Sequence, residues 1–334
     1  MSAKNAPLGK NGPSVPRLGF GLMGMSHAVY GTPLSEEEHF AVLDRAVELG
    51  ETFWDTADLY GNSEEVIGKW FKRTGKRDQI YLASKFGYVK GSKTFEVDSS
   101  GPYAKKACEE SLRHYLHAPN VNTPIEETMR ALAELKAEGK IKQIGLSLVS
   151  SATLRRACKI AHVDAVQTEY SVFSHKIEGP RGTNLLAACR ELGVAVVVAT
   201  PLGRGLLTST FSRGDSVADG TDLRTRMMPQ FAAENRDKNV QAVSQFKALA
   251  DKKGCTVSQL ALAWLLKQGD DIFPIPGTRR IKYLEENWGA LDVSLTDEEE
   301  AEIRAFAKAA EIAGDTMPAQ YEDRLFSDTK EESS

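Results

Sequence analysis

The stretch Thr52-Phe-Trp-Asp55-Thr-Ala-Asp-Leu-Tyr60-Gly61, followed by Ile80-Tyr-Leu-Ala-Ser-Lys85, decides the reading of this chain. Two apolar runs of strand length each end in a charged residue, Asp55 and Lys85. Residues 64–72 between them place Val66, Ile67, Trp70 and Phe71 at helical spacing. This is a strand–helix–strand unit. When such units close into a barrel, residues at the carboxyl ends of successive strands converge on one face. A carboxylate, an ammonium and the phenol of Tyr60 gathered there form a general acid. Lys85 is expected to stabilise tyrosinate and lower the pKa of Tyr60, and Asp55 to hold Lys85 charged and oriented.

The alternation continues along the chain. Helices are expected over 36–49, opened by a Ser35/Glu38 capping box, and over 103–112. Another should run from a second capping box, Thr123-Pro-Ile-Glu126 with Pro at the first helical position, to Gly139. More follow over 151–161, 183–192, 256–268, 282–289 and 297–310, with strands over 143–147, 163–169, 194–200 and 272–276. Regular strand–helix alternation means a parallel sheet, and about eight units mean a (β/α)8 TIM barrel. We expect a single domain over 1–334 with its core at 16–321. Residues 1–15 and 322–334 are then tails, the first a short cap or loop. The long insertion 208–235 reads as a lid or substrate loop.

Composition narrows the function classes. The chain has 334 residues, 26% of them charged, and a net charge of −4, which gives no electrostatic reason to expect nucleic acid. Cys108, Cys158, Cys189 and Cys255 are scattered without metal-ligand or disulfide-frame spacing and read as buried thiols of a reduced compartment. No metal site is expected. The amino-terminal residues lack the apolar core of a signal peptide, and the most apolar run, 194–199, is too short to span a bilayer. The expectation is a soluble cytoplasmic protein with no membrane partner; its oligomeric state is not legible.

Two familiar patterns are declined. Gly19, Gly21 and Gly24 spell GxGxxG, but the dinucleotide fingerprint needs a helix opening at its end, and Ser26 to Pro33 reads as a loop. Tyr81 and Lys85 spell YxxxK, which serves catalysis only when the pair sits one turn apart on a helix. In a strand they would be separated by about 13 Å.

Asp55-Thr-Ala-Asp-Leu-Tyr60-Gly61 with Ser84-Lys85 resembles the aldo-keto reductases, and most of all their pyridoxal-reductase-like branch from fungi and bacteria. The resemblance runs from about Pro16 to about Tyr321. It implies an NADP-dependent oxidoreductase that reduces aldehydes or ketones to alcohols through a tetrad of Asp55, Tyr60, Lys85 and His117. Tyr60 would protonate the carbonyl oxygen as hydride reaches the carbon, and His117 would donate a hydrogen bond to that oxygen. It also implies a cofactor site. Met25, after the first barrel strand, would lie against the nicotinamide, and Ser147 and Gln167 would hold its amide. Leu202, Gly203 and Gly205 would wrap the pyrophosphate. Gly277, Thr278, Arg279, Arg280 and Lys282 would take the 2′-phosphate of NADPH at a helix start, and Glu286 and Asn287 would face the adenine. Phe86, Tyr88 and Met25 suggest a small aromatic or apolar carbonyl as the partner.

The chain departs from the family pattern at three places. Leu148 stands where Asn or Glu usually follows the serine, and Ala199 where an aromatic residue usually stacks under the nicotinamide. Ser111-Leu-Arg-His-Tyr-Leu-His117 is shorter than the family's segment. Residues 103–117 must supply a helix, a turn and the fourth strand, so that strand is expected to be truncated or irregular. A slip of three residues would put His114 in the place of His117. A catalytically impaired or non-catalytic NADPH-binding regulatory protein is the alternative that these departures raise.

Overall fold

Nearly every strand is short and buried on both faces, which requires helices on the outside and parallel pairing within. A computed structural model describes residues 4–27, 29–92, 94–111, 115–215, 222–322 and 324–332. An antiparallel pair, β1 (Asn5–Pro7) and β2 (Ser14–Pro16), opens the chain. The parallel strands follow: β3 (Phe20–Gly21), β4 (Phe53–Asp55), β5 (Tyr81–Ala83), β6 (Lys85–Phe86), β7 (Tyr115–Leu116), β8 (Gly145–Ser147), β9 (Ala165–Glu169), β10 (Ala195–Ala199) and β11 (Ile272–Pro274). They pair in the orders β3-β4-β5 and β6-β7-β8-β9-β10-β11. Only Ser84 separates β5 from β6, so the two make one barrel strand, and a parallel bridge between Gly21 and Gly277 joins the first strand to the last. The result is the expected eight-stranded α/β barrel.

The Gly21–Gly277 seam needs its glycines. A Cβ on Gly21 would lie 2.7 Å from the Ile275 carbonyl oxygen, and one on Gly277 would lie 2.7 Å from that of Gly21. After β3 comes only a four-residue turn of helix, Met23–Ser26, not the helix a dinucleotide fingerprint requires.

The outer layer is built from α1 (Glu36–Leu49), α2 (Ser63–Thr74), α3 (Gly101–Ser111), α4 (Ile125–Ala137), α5 (Ser151–Ile160), α6 (Leu185–Leu192), α7 (Ala233–Lys253), α8 (Val257–Lys267), α9 (Ile281–Trp288) and α10 (Asp297–Ala309). The Ser35/Glu38 capping box forms at α1. The one expected at Thr123/Glu126 does not. Pro124 is the N-cap with no side-chain hydrogen bond, because the Glu126 carboxylate is taken by Arg156 Nε and Nη2 at 2.8 and 2.7 Å. Helix α7 is not among the expected helices; it starts at the end of the insertion 208–235 and stops short of the helix expected over 256–268. Only Asn239, Ala242, Val243, Phe246 and Ala250 of its 21 residues are buried, too thin an apolar stripe to stand out among its charges.

The two ends are more ordered than expected, and the fourth strand is truncated as expected. Of the two forms expected for the amino-terminal segment, a short cap or a loop, it takes the cap, built as the β1–β2 hairpin. Its Leu8 and Val15 pack with Phe53, Ala165, Val197 and Phe273 and plug the amino end of the barrel. Of the supposed tail, Ser327 and Thr329 are buried. Ser327 forms a bridge with Val149, and the Thr329 and Lys330 carbonyls each accept a hydrogen bond from Arg156. Helix α3 keeps its 11 residues, so the shortening falls on β7, a stub of two. Even so, β7 is in register on both sides, Lys85 opposite Tyr115 and Tyr115 opposite Gly145, so β6 and β8 are not left as bare edges. Residues 112–114, and with them His114, lie outside the described residues.

Candidate active site

Asp55 ends β4, Lys85 opens β6, and Tyr60 lies in the loop after Asp55. All three are buried. Lys85 is fully enclosed. Its Nζ donates to Asp55 Oδ1 at 2.6 Å, to the Thr56 carbonyl at 2.9 Å and to the Tyr60 hydroxyl oxygen at 3.2 Å. Three acceptors for three N–H bonds leave the ammonium satisfied without water. Asp55 Oδ2 accepts a hydrogen bond from Gln167 Nε2 at 2.8 Å.

Burial works against a charge on Lys85, but Asp55 and Tyr60 beside it outweigh that and raise its pKa above the ordinary lysine value. The expectation for Tyr60 is overturned. Burial raises its pKa above the ordinary tyrosine value, and although Lys85 pulls it down, burial prevails. Tyr60 is therefore protonated at neutral pH, and Lys85 is the group that favours its release of the proton.

His117 follows β7. Its amide donates to the Phe86 carbonyl at 2.7 Å, fixing the residue despite the short strand. Its ring meets Tyr60 edge to face at 5.8 Å between centroids and Tyr88 at 5.0 Å. Burial, and then Lys85, push its pKa well below the ordinary histidine range, so the ring is neutral at neutral pH. Its Nδ1 is buried with no hydrogen-bond partner among the described residues.

A cleft of about 390 Å³ opens beside this group. Asp55, Tyr60 and Gln167 line one end. Leu202 and Gly205 line the middle, and Gly277, Thr278, Arg279, Arg280, Glu286 and Asn287 the other end. Met25, Ser147, Gly203 and Lys282 do not line it. Met25 is buried in the core with Phe20, Leu22 and Trp54, and Gly203 lies under the turn, its carbonyl accepting from Gln230 Nε2 at 2.9 Å. Ser147 stands in register with Gln167 on the neighbouring strand, and Lys282 is exposed on α9, whose Glu286 and Asn287 line the cleft. Phe86 belongs to the core cluster of β6 and is no loop residue.

Several lining residues escaped the sequence reading. Arg204 sits between Gly203 and Gly205, and Thr200 precedes them. Both have positive φ, and the buried Arg204 Nε and Thr200 Oγ1 have no partner among the described residues. Arg224 and Tyr30 join across the mouth. Tyr30 forms an antiparallel bridge with Asp222, and Asp222 Oδ2 accepts from Arg224 Nη2 at 2.6 Å. Arg224 Nη1 also donates to the Arg204 carbonyl at 2.6 Å, and its guanidinium lies 5.2 Å from the Tyr30 ring. The insertion is thus tied down as a strap. The signal was an Arg in a Gly-rich loop and an Asp-Leu-Arg run in the insertion, neither decisive without the partner across the cleft.

The cleft suits an extended dinucleotide. Its far end carries two guanidinium groups just before α9 and the Asn287 amide near the end of that helix. Its middle carries backbone freed by Gly205 and unpaired polar atoms at Thr200 and Arg204, and its near end meets the Asp55–Lys85–Tyr60 group. Among the described residues no group of three or more His, Cys, Asp or Glu is placed to hold a metal, and no helix is long and apolar enough to cross a membrane.

Comparison with known proteins gives one result at the levels of family, relatives and fold. Residues 17–308 match the model of the Aldo/keto reductase family. The chain is 45% identical to the aldo-keto reductase yakc [NADP(+)] of Schizosaccharomyces pombe, over 98% of both chains. It is also 45% identical to the aldo-keto reductase str7 of Strobilurus tenacellus, over 90% of this chain and 91% of that one. The structure of a glycerol dehydrogenase from Gluconobacter oxydans superposes with a TM-score of 0.80 at 26% identity, covering 93% of this chain and 97% of that one.

Proposed function

This chain belongs to the aldo/keto reductase family, and we propose that it is an NADPH-dependent reductase of aldehydes and ketones, with Tyr60 as the general acid. The observation that carries this reading is the Lys85 ammonium held 3.2 Å from the Tyr60 hydroxyl in a buried site that opens onto the cleft. NADPH, when bound, supplies the hydride that reaches the carbonyl carbon. Tyr60 gives its proton to the carbonyl oxygen, and the phenolate left behind is stabilised by Lys85. Asp55 keeps Lys85 in place. His117, neutral, orients the carbonyl through an N–H.

In the same reading the cofactor's 2′-phosphate takes Arg279 and Arg280, with Thr278 and Gly277 at its side, and Glu286 and Asn287 take the adenine. Leu202 and Gly205 border the pyrophosphate, and Gln167, with Ser147 beside it, faces the nicotinamide amide. The name of the fission-yeast relative includes NADP(+), which supports the same choice of nucleotide.

Tyr88 touches His117, and the Phe95 ring follows at 6.3 Å from Tyr88 and 6.3 Å from Tyr321. This aromatic row supports small aromatic or apolar carbonyls as substrates. We infer a cytoplasmic protein. The two-residue β7 and Ala199 favour a second reading, an NADPH-binding protein without turnover.

NADPH consumption with pyridoxal and a panel of aromatic aldehydes separates the two. Turnover that is lost in Tyr60→Phe supports the reductase. A folded protein that binds NADPH and turns over none of the panel supports the second reading.

A further inference from the structure

We infer that Gln167 is a positioning residue for the proton-donating group, acting on Tyr60 through Asp55 and Lys85. The inference rests on the reductase reading for its effect on turnover, but its geometry lies within the chain itself. Asp55 is buried and its two carboxylate oxygens are divided between two donors. Oδ1 accepts from Lys85 at 2.6 Å and Oδ2 from Gln167 at 2.8 Å. An ionised carboxylate only accepts, so the Gln167 amide must present its NH2 to Asp55 and turn its carbonyl oxygen away. Gln167 comes from β9, on the opposite side of the barrel from β4, and it too is buried. It therefore fixes the rotation of a carboxylate that Lys85 alone would hold at one oxygen. Gln167 also lines the cleft together with Asp55 and Tyr60. A single side chain thus faces the cofactor space while holding the carboxylate behind the acid.

The consequence follows link by link. Without the Gln167 N–H, Oδ2 is a buried acceptor with no donor, and Asp55 is free to rotate off Lys85. Lys85 then keeps its proton less firmly, and the Tyr60 phenolate loses its stabilising charge. The groups that act on Lys85 and Tyr60 are Asp55, His117, Arg204 and, farther out, Asp58. Asp58 titrates at about 7, so the alkaline side is the range in which Lys85 can be read separately.

Two variants test this, Gln167→Met, which keeps length and removes the donor, and Gln167→Glu, which can donate to Asp55 only when protonated. At saturating NADPH, Gln167→Met should lose about tenfold or more in kcat, the size of one hydrogen bond to a buried charge. The alkaline limb of its kcat profile should move to lower pH. Gln167→Glu should regain activity toward acid pH, and Gln167→Met should not. A readout independent of turnover is the melting temperature of the cofactor-free protein against pH. Its decline above pH 10.5 should be smaller, and complete at lower pH, in Gln167→Met than in wild type, and this difference should vanish in a Lys85→Met background. A rise in KM for NADPH alone, with kcat, its pH profile and the cofactor-free melting curve unchanged, would overturn the inference and leave the reductase reading intact. Wild type that turns over no carbonyl would instead defeat the reductase reading, and the melting curves would still decide the role of Gln167.

Discussion

The rings of Tyr60 and His117 meet edge to face, 5.8 Å apart, although the strand that delivers His117 is two residues long. Strand length is therefore not what places the histidine. The hydrogen bond from its amide to Phe86 and the Tyr88 ring behind it do so. The proposed tetrad is assembled from the ends of three successive barrel strands and one loop. Tyr60→Phe removes the hydroxyl of this group that lines the cleft. Carbonyl reduction should fall about 10²–10⁴-fold, while quenching of tryptophan fluorescence by NADPH persists, as stopped-flow and equilibrium titrations would show.

Lys85→Met leaves Asp55 buried without its cation. At neutral pH this should cost about 3–5 kcal/mol of stability, measured by urea unfolding. The sign of the pH dependence follows from the raised pKa of Lys85. Its contribution is present in full below the ordinary lysine value of 10.5 and is lost as the pH climbs through the higher folded value. The gap between wild type and variant should therefore close only in strong alkali.

Asp58 behaves in the same sense, at lower pH. Burial, partly offset by Lys90, raises its carboxyl from 3.8 to about 7. The folded protein holds this proton more tightly than the unfolded chain, so stability falls as pH rises from 3.8 toward about 7. Asp58→Asn should raise the melting temperature above that range and change it little below, which differential scanning calorimetry at two pH values would read.

Arg279 and Arg280 should separate the two nicotinamide cofactors. With both changed to Ala, KM for NADPH should rise about tenfold or more and KM for NADH should hardly move, since only one of them carries a 2′-phosphate. Added salt should narrow the wild-type preference, because this end of the cleft is exposed.

The strap gives a kinetic prediction. Arg224 reaches across the mouth of the cleft to the Arg204 carbonyl and holds Asp222, its neighbour in the strap, which bridges to Tyr30. Arg224→Met cuts both ties, so NADPH should leave about tenfold faster with a smaller change in its association rate. Displacement of bound NADPH in a stopped-flow instrument measures this.

Strand–helix order, the eight-unit barrel and the Asp55–Tyr60–Lys85 grouping were legible because each follows from local periodicity and from one topological rule. The pKa balance at Tyr60 was not. It depends on how completely the ring is enclosed, and no spacing records that. The same holds for the link between Gln167 and Asp55, 112 residues apart in sequence, and for Arg224, whose partners come from two other loops. Helix α7 was missed for a different reason. Its buried stripe is five residues in 21, and a helix stabilised by so few contacts has little amphipathic signature. The capping box at Thr123 failed because Arg156, a long-range partner, offers Glu126 two hydrogen bonds where the backbone offers one.

The stub at β7 also bears on how such chains can diversify. A parallel barrel fails when its ring of backbone hydrogen bonds is cut, not when one stave is short, and two paired residues suffice here to keep β6 and β8 joined. Strand β7 can therefore lose length without unroofing the catalytic end. Gains and losses of residues in descendants of such a gene should collect there, while the segments on either side stay constant in length.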